Sequence, residues 1–125
     1  MRKSSNPEKT TNQVRLKLTV TLQYGWGKSM KLYVIVRKDL SHSQRAVQAG
    51  HALAEYLLHS PLFRWRNETL IYLGVKGLRQ LKNVKNKLEQ NGIEHFAFYE
   101  PDLNNEITAI ASDEESKIFE KMNLL

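Results

Sequence analysis

Lys31-Leu32-Tyr33-Val34-Ile35-Val36-Arg37 is the stretch that decides the fold. Its unbroken apolar middle, rich in β-branched residues, predicts a central strand buried on both faces. Working outward, Lys38-Asp39-Leu40 leads to Ser41, a good helix N-cap, and Gln44 three residues later completes a capping box. This helix runs to about Leu58, because residues just before Pro61 resist helical backbone. A second strand is expected at 68–75 and a second helix at 77–91, with Leu78, Leu81, Val84 and Leu88 on one stripe. Asn91-Gly92 is an apt helix terminus. A third strand falls at 93–99, Glu100-Pro101-Asp102 turns the chain, a short fourth strand falls at 106–111, and a last helix at 113–122. The order strand-helix-strand-helix-strand-strand-helix predicts an α/β single domain with a mixed four-stranded sheet flanked by helices. Strand–helix–strand steps favour parallel neighbours with right-handed crossovers, and the short last connection favours an antiparallel pair.

Upstream, residues 1–13 are polar. Residues 14–24 alternate, with Val14, Leu16, Leu18, Val20, Leu22 and Tyr24 on one face, which is the pattern of a half-buried strand. Two assignments stand open: an N-terminal extension of residues 1–29 before a domain of residues 30–125 that starts at Met30, or an extra edge strand of the same sheet.

Composition narrows the chemistry. The chain has 125 residues and no cysteine, which removes disulfides, thiol nucleophiles and Cys-ligated metals, and fits a reducing, cytoplasmic setting. The four histidines form no metal-ligand spacing, so no metal is expected. No apolar run approaches the ~18 residues of a transmembrane helix, so no membrane partner is expected. The net charge of +6 lies mostly at one end: Arg2, Lys3, Lys9, Arg15, Lys17 and Lys28 face only Glu8 within residues 1–28. The remainder is nearly neutral, so nucleic-acid contact there needs a local patch instead of a global field.

The first helix carries the candidate chemistry. At about 100° per residue, Gln44, Gln48, His51 and Glu55 share a stripe roughly 60° wide. Ala46, Val47, Gly50, Leu53, Ala54 and Leu57 lie on the expected buried side. A polar stripe opposite an apolar one is what any surface helix shows. This stripe, however, has no lysine, and it sets an imidazole one turn from an amide and one turn from a carboxylate, a set suited to proton transfer.

The segments Val36-Arg37-Lys38-Asp39-Leu40 and Ala46-Val47-Gln48-Ala49-Gly50-His51-Ala52 resemble the hallmark of the type II peptidyl-tRNA hydrolases. That family reads V-R-x-D-L, then G-K-x-A-A-Q-x-x-H-A. The resemblance covers Met30 to about Ser112. It implies hydrolysis of the ester between a peptide and the 3′ ribose of tRNA, with no cofactor and no metal, and with peptidyl-tRNA as partner. Arg37, Asp39, Gln48 and His51 match the family. Its lysine falls on Gln44 and the preceding glycine on Ser43. The family's later acidic position falls near Glu100-Pro101-Asp102, so Glu100 and Asp102 compete for it, and Thr108 matches a family threonine. The implied catalytic set is Gln44, Gln48, His51, Glu100, Asp102 and Thr108. In it an acid orients or activates water, Gln44, Gln48 or helix N–H groups stabilise the oxyanion, and His51 moves a proton or only holds Glu55.

For RNA, the expected patch is Arg37, Lys38, Arg45, Arg64, Trp65 and Arg66, supplemented by Lys76, Arg79, Lys82, Lys85 and Lys87 on the second helix. Trp65 could stack an unpaired base or simply close the core. The missing lysine leaves two further readings open: a non-catalytic relative using the same cleft to bind RNA or protein, and a small oligomerisation module, such as a homodimer, pairing through exposed strands.

Overall fold

The computed structural model describes residues 30–60 and 65–125. The expectations for residues 1–29 and for Arg64 lie outside them. The described elements run β1 (Lys31–Arg37), α1 (His42–His59), β2 (Thr69–Val75), α2 (Leu78–Gln90), β3 (Phe96–Glu100), a 3-10 turn (Pro101–Leu103), β4 (Glu106–Ser112), α3 (Lys117–Glu120) and β5 (Asn123–Leu124). The sheet is mixed, in the order β3-β4-β1-β2-β5. β1 pairs parallel with β2 and antiparallel with β4. β3 pairs antiparallel with β4, and β5 antiparallel with β2.

The α/β class and the element order follow the sequence. Two details differ. The sheet has a fifth strand, a two-residue strip whose chain end is held by a hydrogen bond from the Leu125 N–H to the Tyr72 carbonyl (3.0 Å). The last helix is one turn long and starts after Ser116, whose hydroxyl caps the Ile118 N–H, so the acidic run at 113–115 precedes it instead of opening it.

β1 fills the centre as its sequence demands. Leu32, Val34 and Val36 pack under α1 with Ala49, Ala52, Tyr56, Ala109 and Ala111. Tyr33 and Ile35 face α2 and α3 with Leu81, Leu88, Ile110 and Phe119. Ser41 caps α1 by accepting the Gln44 N–H (3.3 Å). α2 ends in a Schellman arrangement: Gly92, at φ 64°, donates to the Glu89 carbonyl and Ile93 to the Leu88 carbonyl. Asn104 and Asn105, at φ 54° and 59°, reverse the chain between β3 and β4; asparagine tolerates that left-handed backbone better than most residues.

The rotation of α1 corrects the sequence reading. Its buried residues are Gln48, Ala49, Ala52 and Tyr56. Val47 is 54% exposed and Leu58 76%, Leu57 is exposed, and a Cβ added at Gly50 would meet nothing within 4 Å. The helix sits on its two small alanines, which allow a close approach to β1 and β4, and Tyr56 fills the space further along. Ranking positions by hydrophobicity put Val47 and Leu57 inside. The narrow gap above the sheet takes small residues instead, together with one glutamine whose polar atoms find partners there.

Candidate active site

Gln48 joins the leading helix to the far edge of the sheet. It is 3% exposed, its side-chain amide nitrogen donates to Glu100 Oε1 at 2.7 Å, and its carbonyl accepts the Thr108 hydroxyl at 2.7 Å. Such a buried amide is stable only because both ends are satisfied. Because the Thr108 hydroxyl must be a donor here and the carboxylate an acceptor, the orientation of the Gln48 amide is fixed by its partners.

A β-bulge makes this contact. Phe98 pairs with Ala109, yet Tyr99 pairs with Ile107, so Thr108 is the extra residue on β4. Strict alternation would turn Thr108 to the α2 side along with Ile110. The extra residue breaks the alternation and sends Thr108 to the α1 side, beside Ala109. Thr108 is fully buried there, with the Phe98 carbonyl as a second, longer neighbour at 3.4 Å.

Glu100 ends β3. Its second oxygen accepts the Asp102 backbone N–H at 3.2 Å, across the turn that Pro101 opens. Hydrogen bonds from Gln48 and from the Asp102 backbone hold the carboxyl below the usual glutamate range. Glu100 is therefore the acid in contact with the helix. Asp102 lies on the exposed turn and contributes its backbone. His51 is exposed on the helix, its ring stacked flat on Phe98 with centroids 4.4 Å apart and planes 7° apart. It does not hold Glu55, because Glu55 pairs with His59 (3.2 Å), which in turn stacks on Phe96. Gln44 is exposed at the start of the helix, with no charge where the family pattern has a lysine. Gln48, His51, Glu100 and Thr108 thus meet at one corner, with Asp102 at its rim. Phe98 contributes as well, although no motif marked it beforehand.

The expected RNA patch divides. Arg37 is 6% exposed and committed to protein partners: two bonds to Asp39 (3.0 and 2.8 Å), one to Glu106 (2.8 Å) and one to the Ile107 carbonyl (3.1 Å). The Arg37 guanidinium, bonded to both oxygens of Asp39, holds that carboxyl below its usual range. Arg37 is therefore a brace of the β1 end and not an exposed phosphate ligand. Glu106, its partner from β4, was not legible beforehand. Arg45 turns back to donate to the carbonyls of Lys38 (2.6 Å) and Leu40 (2.9 Å), fastening the loop before α1. Lys38 is exposed, with its stem over Gly74. Trp65 is half-buried against the cluster under α1, the core-closing alternative, and Arg66 pairs with Glu68 at 3.3 Å. α2 packs on the opposite face of the sheet from α1, so its lysines do not border the corner.

Among the described residues, no group of three or more His, Cys, Asp or Glu side chains converges as a metal ligand set. No helix of the described residues is long and apolar enough to cross a membrane.

A protein-family model for peptidyl-tRNA hydrolase PTH2 matches residues 30–118. The chain belongs to the peptidyl-tRNA hydrolase PTH2 family. The match begins one residue before β1 and takes in every residue of the Gln48–Glu100–Thr108 corner. No curated protein matches the chain significantly. Among solved structures, a protein of unknown function, Atu0240, from Agrobacterium tumefaciens strain C58 has the same fold, at 14% identity and a TM-score of 0.59. The match covers 78% of this chain and 98% of that one.

Proposed function

We propose that this PTH2-family chain is a cytoplasmic, metal-independent hydrolase of peptidyl-tRNA. It would cleave the ester between the peptide and the 3′ ribose. The observation that carries the reading is the 2.7 Å bond from Gln48 to Glu100, which brings the helix stripe and the acidic turn into one exposed corner.

The reaction needs a directed water, a stabilised tetrahedral oxyanion and a proton for the departing ribose oxygen. Glu100 is held ionised and still has lone pairs free of Gln48 and Asp102, so it orients the water. A carboxylate held below its usual range is a weak base, so the water's proton passes to His51. The imidazole then returns that proton to the 3′ oxygen as the carbon–oxygen bond breaks. Gln48, its amide buried and bonded at both ends, holds Glu100 in place for that water. Thr108 keeps that amide from flipping. Gln44 and the first-turn N–H groups of α1 add dipolar stabilisation at the helix start. Lys38, exposed at the same end of β1, is the phosphate contact, with Arg45 shaping the loop that presents it.

The uncharged Gln44 favours a second reading, in which the same corner binds tRNA without turnover. Purified protein and a labelled peptidyl-tRNA, with and without chelator, separate the two. Release that survives chelator and drops at least tenfold in Glu100→Gln supports the hydrolase. Tight binding with no release supports the binding module. Full release by both Glu100→Gln and Gln48→Ala would place the chemistry elsewhere.

A further inference from the structure

Two histidines on α1 lie over two phenylalanines on β3. His51 stacks on Phe98 at 4.4 Å and 7°, and His59 on Phe96 at 5.3 Å and 18°. The pairs share spacing but differ in surroundings. The His59 ring is held by Glu55, through its carboxylate (3.2 Å) and its carbonyl (2.9 Å). The His51 ring has no hydrogen-bond or ion-pair partner among the described residues; it touches Phe98, on the strand that ends at Glu100. An exposed imidazole with no hydrogen bond would normally sample several rotamers. A parallel aromatic face beneath it removes most of that freedom. It also leaves the ring edge, where both nitrogens sit, open within the plane.

Phe98 is placed for this by the strand. It stands two residues before Glu100, so alternation puts both on the α1 face, about 7 Å apart along β3. Its carbonyl lies 3.4 Å from the Thr108 hydroxyl at the bulge. One residue therefore touches the groups on both sides of the corner: its ring meets His51 and its backbone meets Thr108. We infer that Phe98 is a positioning residue, which holds the His51 imidazole edge-on to the Gln48–Glu100 corner so that it can exchange a proton there. The Phe96–His59 stack, tied off by Glu55, is its structural counterpart at the far end of the helix. This inference rests on the hydrolase reading.

The test uses the full chain and peptidyl-tRNA. Phe98→Leu should lower kcat roughly tenfold while KM changes less than about twofold, because orientation and not binding is lost. Phe98→Tyr, which keeps the ring face, should restore the rate. Phe96→Leu should leave kcat within about twofold. In a His51→Ala background, Phe98→Leu should have no further effect on kcat, because the residue it positions is gone. The His51 ring protons should also resonate upfield in the unaltered chain, under the ring current of Phe98, and lose that shift in Phe98→Leu. An unchanged kcat in Phe98→Leu overturns the inference, as does an equal loss with and without His51, or an unshifted His51 resonance in the unaltered chain. If the unaltered chain releases no peptide, the hydrolase reading falls and takes the positioning role with it. An active chain indifferent to Phe98→Leu removes the inference alone.

Discussion

Replacing Thr108 with valine exchanges a hydroxyl for a methyl at almost constant volume, in a site that is fully buried. The Gln48 carbonyl, 3% exposed at the residue level, then loses the donor it holds at 2.7 Å. Leaving a buried acceptor unpaired costs about 1–3 kcal/mol, partly offset because the hydroxyl no longer needs desolvating, so the net loss should be about 1–2 kcal/mol. For a domain of this size each kcal/mol lowers Tm by about 4–8 °C. Gln48→Leu alone removes the acceptor but leaves the Thr108 hydroxyl the Phe98 carbonyl as a fallback. In the double variant neither polar group remains stranded, so it should be more stable than the two single losses summed, by about 1 kcal/mol. Urea unfolding followed by circular dichroism, on all four proteins at one pH, measures this coupling. Thr108→Ser, which keeps the hydroxyl, should preserve it. Losses that add to within about 0.3 kcal/mol would mean that Thr108 and Gln48 do not act as a pair, and the account of the bulge would be refuted.

Asp113 should make stability fall as pH rises. Burial, opposed by its bond with the Tyr56 hydroxyl and reinforced by Glu94 and Glu114, pushes its carboxyl from 3.8 to about 7. The folded state therefore holds the proton more tightly than the unfolded one. The stabilisation is complete below about pH 4 and lost by about pH 7. Subtracting the Tm–pH curve of Asp113→Asn from that of the unaltered chain should isolate this slope, and parallel curves would count against it. Arg37→Met should destabilise the fold by about 2 kcal/mol, because Asp39 and Glu106 lose their shared cation. Since Asp39 has a lowered pKa, that loss should shrink as pH falls through the acid range; a loss independent of pH would contradict the pairing. Gln44→Lys should steepen the salt dependence of tRNA binding by about one unit of slope and raise kcat/KM. An unchanged slope in a filter-binding salt series would place Gln44 away from the phosphates.

The main chain of this protein was largely legible in advance. The β1 run could only be a central strand, because five consecutive apolar residues need burial on both faces. Ser41, Asn91 and Gly92 marked helix ends through local hydrogen bonding and backbone freedom, which depend on near neighbours alone. Gln48 and the acidic turn were grouped beforehand only through the family resemblance, with Glu100 and Asp102 left as alternatives. The partners of Arg37 were not legible: the RNA role expected of it gave way to Asp39 and Glu106, the latter a strand away, whereas Trp65 took the core-closing alternative that had stood open.

What the sequence by itself determined is whatever local physics can decide: the strands, the caps, the order of elements and the mixed sheet. The tertiary structure decided which way α1 faces and which way Thr108 points. Both depend on space that residues distant in the chain create together. The gap between α1 and the sheet admits Ala49 and Ala52 but leaves Val47 and Leu58 in water, and a single extra residue in β4 reverses the alternation that would have hidden the Thr108 hydroxyl from Gln48.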